Sequence, residues 1–243
     1  MIRAILFDLD GTLLQSDMNV FMPHYLQALT TRLAPLIPPS KLGAQLMRST
    51  RLMMANTDPT RTNQQVFDAD FYLKIGHSRE EMLPILEDFY TNDFARLRDL
   101  TQPKPEARAV VQAAFARGYD VAIATQPVFP LAAVRQRLEW AGVADFPYRL
   151  VTSYESMHAC KPQLAFFQEV LAVLGRSPGE CLLAGDNPYD DIAPAAQLGL
   201  HTFWVTDVAP DPADPKVLAR WRGGLGDLHR LIVSGELLTE GRR

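Results

Sequence analysis

Read for the spacing of apolar positions, the chain changes character twice. Ala4 to Phe7 is a continuous apolar run, the length of a short buried strand. It stops at two carboxylates one residue apart, Asp8 and Asp10, and Gly11 then permits a bend that a side chain would resist. From about residue 18 to residue 100 the spacing is helical, with no convincing strand. Phe21, Tyr25, Leu26, Leu29 and Leu33 recur on one face until prolines at 35, 38 and 39 end the run. Leu42, Leu46, Met47, Met53 and Met54 predict a second helix, and 56–60 reads as a loop. Ser78 followed by Glu81 has the form of a capping box opening a third long helix, with Met82, Ile85, Leu86, Phe89, Tyr90 and Phe94 on one side.

The segment 101–105 reads as a stiff, proline-bearing connector, and beyond it short apolar runs alternate with helical stretches. Strands are predicted at 121–124, 149–152, 181–184 and 201–205. The helices between and after them fall at 107–117, 130–140, a stretch from Pro162 that buries Phe166, Phe167, Val170, Leu171 and Leu174, and 228–233. A proline- and acid-rich loop is expected at 210–215. Such alternation implies βαβ units and a parallel sheet. The expected fold is therefore α/β: a Rossmann-like parallel sheet core at 1–15 and 101–243, interrupted by an all-helical insert at 16–100.

At 243 residues and 47% hydrophobic content the chain can bury a sizeable core. A net charge of −4 argues against a nucleic-acid backbone as partner. The two cysteines, Cys160 and Cys181, have no metal-type spacing and suit a reducing compartment. No apolar stretch has the length of a membrane span or signal segment, so a cytoplasmic protein without membrane partners is expected. Nothing in the sequence fixes an oligomeric state.

Chemistry-bearing residues collect at four predicted strand ends: Asp8 with Asp10; Thr125 with Gln126; Lys161, ahead of a helix; and Asp186 with Asp190 and Asp191. In this order and at these boundaries they resemble the four motifs of the haloacid dehalogenase (HAD) superfamily. The stretch Phe7-Asp8-Leu9-Asp10-Gly11-Thr12-Leu13 is similar to the first motif in its phosphatase form. The resemblance implies a Mg²⁺-dependent phosphatase of small phosphorylated metabolites, with the helical insert as a cap placed after the first motif. It makes Asp8 the nucleophile that forms an aspartyl-phosphate. Mg²⁺ would be held by Asp8, the backbone carbonyl of Asp10, and Asp186, with Asp191 and Asp190 holding metal-bound waters. Lys161 would supply positive charge, and Thr125 with backbone N–H groups at Gly11 and Thr12 would bind phosphoryl oxygens. Gln126, which stands where the family often has a shorter polar residue, is counted with Thr125 among the substrate-binding residues.

Physical chemistry supports this assignment. An attacking carboxylate is repelled by a phosphate dianion, and a hard divalent cation on oxygen ligands offsets the repulsion. Asp10 separates the branches, because an alkoxide leaving group needs a proton and a halide does not. The rivals are a phosphomutase of sugar phosphates, a non-catalytic small-molecule binding module and, last, a dehalogenase. In the insert, Arg48 and Arg51 stand at i, i+3 and share a helix face. They are read either as a clamp for a carboxylate or second phosphate on the substrate, or as a solvated face. Arg61, Lys74 and His77 follow as further cationic positions, and His158 is read as a surface residue.

Overall fold

The computed structural model describes residues 1–207 and 219–239; the loop expected at 210–215 lies outside them. The strands are β1 (Ala4–Phe7), β2 (Leu14–Ser16), β3 (Thr101–Pro103), β4 (Asp120–Ile123), β5 (Leu150–Val151), β6 (Cys181–Gly185), β7 (His201–Val205) and β8 (Trp221–Gly223). Six of them form one parallel sheet in the order β5-β4-β1-β6-β7-β8. All four β1 side chains are buried, because helices cover both faces. Ile5 and Phe7 join the core formed with α5 (Ala107–Ala116), α6 (Leu131–Trp140) and α9 (Leu225–Ser234). Ala4 and Leu6 point the other way, into the core formed with α7 (Leu164–Leu174) and α8 (Ala193–Leu198).

The register decides where chemistry can occur. Phe7 is paired with Ile123 on β4 and with Ala184 on β6. The segments that follow these three residues therefore leave the sheet side by side at its carboxyl edge. Strand order reverses at β1, which makes this edge a topological switch point, the usual ligand crevice of open α/β sheets.

The helices of the insert are α1 (Met18–Leu33), α2 (Pro39–Met54), α3 (Asn63–Ile75) and α4 (Arg79–Asp88), followed by tighter and wider turns through Leu100. The capping box at Ser78 forms: Glu81 N donates to Ser78 Oγ (3.2 Å) and Ser78 N to Glu81 Oε2 (2.9 Å). Helix α3 has no counterpart in the apolar spacing, since its buried stripe is little more than Phe71 and Ile75. Its start is nevertheless marked by a second capping box between Thr62 and Gln65.

Two expectations at the joins are corrected. The segment 101–103 is a strand rather than a connector: β3 pairs antiparallel with β2, so the insert leaves and returns through adjacent strands. Pro162 does not occupy the first turn of α7, which starts at Leu164; it sits in the turn before it. The insert is also tied down at α3. Buried Asn63 donates from Nδ2 to Pro127 O (3.3 Å), Ala159 O (3.2 Å) and Cys160 Sγ (3.4 Å), and its backbone N–H donates to Met157 O (2.7 Å). Among the described residues no helix is long and apolar enough to cross a membrane.

Because Asn63 satisfies two buried carbonyls from separate core loops, Asn63→Ala is expected to cost about 1–3 kcal/mol of stability. Urea unfolding measures this as a lower midpoint at unchanged slope; an unchanged midpoint would show that the tie contributes nothing.

Candidate active site

Asp8 follows β1 directly. Its backbone N–H donates to Ala184 O (2.9 Å), and its side chain is almost fully buried. The turn that follows closes on itself, with Gly11 N donating to Leu14 O (2.7 Å) and Thr12 N to Leu9 O (3.2 Å). Gly11 has φ +84°, and a Cβ there would lie 2.2 Å from Asp186 Oδ2. Thr12 Oγ1 donates to Asp186 Oδ1 at 3.1 Å. Gly11 and Thr12 thus seat Asp186 against the first turn. Both backbone N–H groups expected to bind phosphoryl oxygens are engaged within the turn, which corrects that expectation.

Lys161 is buried with its ammonium between two carboxylates, 2.8 Å from Asp8 Oδ1 and 2.5 Å from Asp191 Oδ1. These attractions outweigh the burial that opposes its charge, and its pKa is raised. The backbone that carries it is gripped by Gln126, whose Nε2 donates to Lys161 O (3.0 Å) while its Oε1 accepts from Lys161 N (2.9 Å). Gln126 therefore positions Lys161, and its amide is not free for substrate as expected. Buried Thr125 precedes it, its carbonyl accepting from Thr152 Oγ1 at 2.7 Å.

The fourth segment is shaped by Asn187. Its Oδ1 accepts from Tyr189 N (2.9 Å) and Asp190 N (3.1 Å), opening a wide turn that swings Asp191 back under Gly185. A Cβ on Gly185 would meet Asp191 Oδ2 at 2.4 Å. Asp8, Asp186 and Asp191 offer carboxylate oxygens that all lie within 4.8 Å of one another. Burial, reinforced by the charge of Asp8, pushes Asp186 up to about 6. Burial also pushes Asp191 up to about 7, against the pull of Lys161. Three carboxylates this close, with one ammonium among them, form an all-oxygen donor set that fits a hard divalent cation such as Mg²⁺.

Sequence reasoning missed Arg137. It is 1% exposed, its Nη1 donates to Asp10 Oδ2, and its guanidinium lies 4.4 Å from the centre of the Phe129 ring. The signal was present: one arginine on the apolar face of α6 beside Ala133, Val134 and Leu138. Burial raises the pKa of Asp10, and Arg137 opposes that rise. Asp8, Asp10, Thr125, Gln126, Lys161, Asp186, Asp191 and Arg137 all line one cavity of about 520 Å³. Arg48 and Arg51 do not line it. Both are exposed on α2, and Arg48 Nε lies 3.8 Å from Asp70 Oδ2. His158, read as a surface residue, is half-buried and hydrogen-bonded to Glu169 (2.6 Å).

A model of haloacid dehalogenase-like hydrolases matches residues 2–199. The chain belongs to this family. A phosphoserine phosphatase from Thermus thermophilus is 32% identical over 133 residues, 55% of this chain and 51% of the relative. The chain thus spans about half the length of that curated relative. An HAD phosphatase from Thermococcus onnurineus superposes with a TM-score of 0.59 at 19% identity, over 96% of this chain and 99% of that one. An L-2-haloacid dehalogenase from Xanthobacter autotrophicus, with chloropropionic acid covalently bound, does so at 0.56 and 18%, over 96% and 99%. At these identities the superpositions establish the fold. The family is one of hydrolases, and the fold neighbours include a phosphatase and a dehalogenase.

The raised carboxyl pKa values give a metal test that does not depend on turnover. Folded Asp186 and Asp191 keep protons that an unfolded carboxyl releases near pH 4. Between about pH 4 and 7 the folded state binds more protons, so metal-free stability falls as pH rises through that window. A cation competes with those protons. Mg²⁺ is therefore expected to raise the melting temperature clearly at about pH 8 and much less at about pH 5. Equal shifts, or none, would contradict a cation on these carboxylates.

Proposed function

We propose that the chain is a Mg²⁺-dependent phosphatase that hydrolyses phosphate monoesters of small metabolites, with the helical insert 16–100 acting as the cap on the core. The observation that carries this reading is Asp10, largely buried on the same cavity as Asp8 and paired with Arg137. A dehalogenase has no work for such a group, since a halide leaves without a proton.

In the proposed reaction an Asp8 carboxylate oxygen attacks phosphorus, the bond from phosphorus to the ester oxygen breaks, and Asp10 gives that oxygen its proton. The acyl phosphate on Asp8 is then attacked at phosphorus by water. Asp10, now a carboxylate, takes a proton from the water, and inorganic phosphate leaves with Asp8 restored. Burial favours the protonated Asp10 needed in the first half, and the Arg137 guanidinium stabilises the carboxylate needed in the second. Lys161 restrains Asp8 and adds positive charge beside the phosphoryl oxygens. Thr125, on the cavity wall, would donate its hydroxyl to one of them. Asp8, Asp186 and Asp191 would hold Mg²⁺, which when bound supplies charge that offsets the repulsion between carboxylate and phosphate dianion.

Asp8→Asn is expected to abolish turnover with the melting profile retained. Asp10→Asn is expected to slow an alkyl phosphate by about two to four orders of magnitude and an activated aryl phosphate far less. Steady-state kinetics on both ester types checks this. Equal losses would remove the acid role, and wild-type turnover by Asp8→Asn would remove the nucleophile.

A further inference from the structure

The catalytic cavity has a neighbour of opposite chemistry. Between the insert and the core lies a chamber of about 260 Å³, close to the ~300 Å³ at which small-molecule pockets begin. It shares the walls Met22, Gln126, Val128 and Phe129 with the catalytic cavity, so the two spaces adjoin. Apart from Thr50, the rest of its lining is aliphatic and aromatic, including Leu29, Leu46, Phe67, Phe71 and Leu86. Among the described residues no charged side chain lines it. Its polar atoms are few, and several are engaged elsewhere. The Tyr25 and Tyr90 hydroxyls bond each other at 3.0 Å, and the Gln126 amide holds the Lys161 backbone.

Charge in the catalytic cavity points the same way. Its described cations are Lys161 and Arg137, the first held by Asp8 and Asp191 and the second by Asp10. Asp17, Asp186 and Asp190 add further negative charge to its walls. Beyond the one unpartnered donor, the buried Arg137 Nη2, a second anionic group on the substrate would find no further unengaged cation among the described residues of either space. Helix α2 turns Leu46, Met47, Thr50 and Met54 towards the chamber, with Met47 and Met54 partly exposed at its edge, while Arg48 and Arg51 are exposed and line neither space.

We propose that the chamber receives the ester substituent and that the preferred substrates carry an uncharged apolar one, alkyl or aryl, rather than a carboxylate or a second phosphate. This rests on the phosphatase reading for its reaction, though not for the binding it requires. The phosphoryl group sits on the acidic cavity with its cation, and the substituent is sorted by burial in the chamber.

Two measurements test this, one of them without turnover. In the first, kcat/KM is measured for ethyl, butyl and hexyl phosphate, phenyl and naphthyl phosphate, and phosphoglycolate and phosphoserine as carboxylate esters. The alkyl series is expected to rise by up to about fourfold per added methylene, the fold-change of roughly 0.8 kcal/mol per buried CH₂, and the carboxylate esters are expected to trail it. The aryl pair tells a flat pocket from a chain-shaped one. A flat series, or a carboxylate ester ahead of the apolar ones, would overturn the proposal while leaving the phosphatase reading intact. In the second, 1-naphthol is titrated calorimetrically into wild type and Thr50→Lys, which puts a charge at the chamber wall. Expected are binding with a negative heat-capacity change in wild type and at least about tenfold weaker binding in the variant. Absence of naphthol binding, or equal binding by both proteins, would overturn the chamber assignment. Should no ester be hydrolysed while naphthol binds as described, the phosphatase reading falls and the chamber remains an apolar ligand site.

Discussion

One buried ammonium organises the site. Lys161 lies between Asp8 and Asp191, and these residues come from chain segments far apart in sequence that meet only because β1 and β6 are neighbours. An ammonium out of water is costly unless opposite charge and hydrogen bonds surround it, and carboxylates at the bottom of an acidic cavity are costly without a cation. Each residue supplies what the others lack. Removing the lysine would leave Asp8, Asp186 and Asp191 to repel one another within hydrogen-bonding reach of a single point. The Gln126 side chain extends the arrangement to a third strand end, because it fixes the Lys161 backbone from the segment after β4. The residue that departs from the common family pattern is thus part of the device that aims the lysine.

In the proposed reading the insert would divide recognition between two chemistries. On the core side the cavity is polar, acidic and suited to a phosphoryl group with its cation. On the insert side the volume is apolar. The β2–β3 pair and the Asn63 bonds fix where the insert meets the core, and Asn63 reaches the loop residues beside Gln126 and Lys161. Packing of the insert is thereby linked to the backbone that carries the catalytic groups.

Much of this could be read from the chain. Strands β1, β4, β6 and β7 announce themselves because a strand buried on both faces must be apolar throughout. Three of the four candidate segments, those of Asp8, Thr125 and Asp186, are legible because each begins where such a run stops, whereas Lys161 stands ten residues past the end of β5, in the turn before α7. Strands β2, β3 and β8 were not legible: three residues such as Leu14-Gln15-Ser16 carry no periodic signal, and their pairing depends on a partner far away in the chain. Gln126 was ambiguous for the same reason, since its partner lies 35 residues on. On α2 Arg48 and Arg51 share an exposed helix face. Packing against α1 and α3 turns Leu46 and Thr50, and not these arginines, towards the chamber. Arg137 was visible as an arginine on an apolar helix face, but only the fold brings it to Asp10.

The central claim is that Asp8 attacks phosphorus and carries the phosphoryl group. It is tested most directly by quenching the enzyme during turnover of an aryl phosphate, reducing with borohydride, and mapping peptides by mass spectrometry. Borohydride converts an aspartyl acyl phosphate to homoserine and leaves a free carboxylate unchanged. The account predicts homoserine at position 8, dependent on substrate and absent at Asp10, Asp186 and Asp191. Homoserine at another aspartate, or none at position 8 while substrate is being consumed, would contradict it.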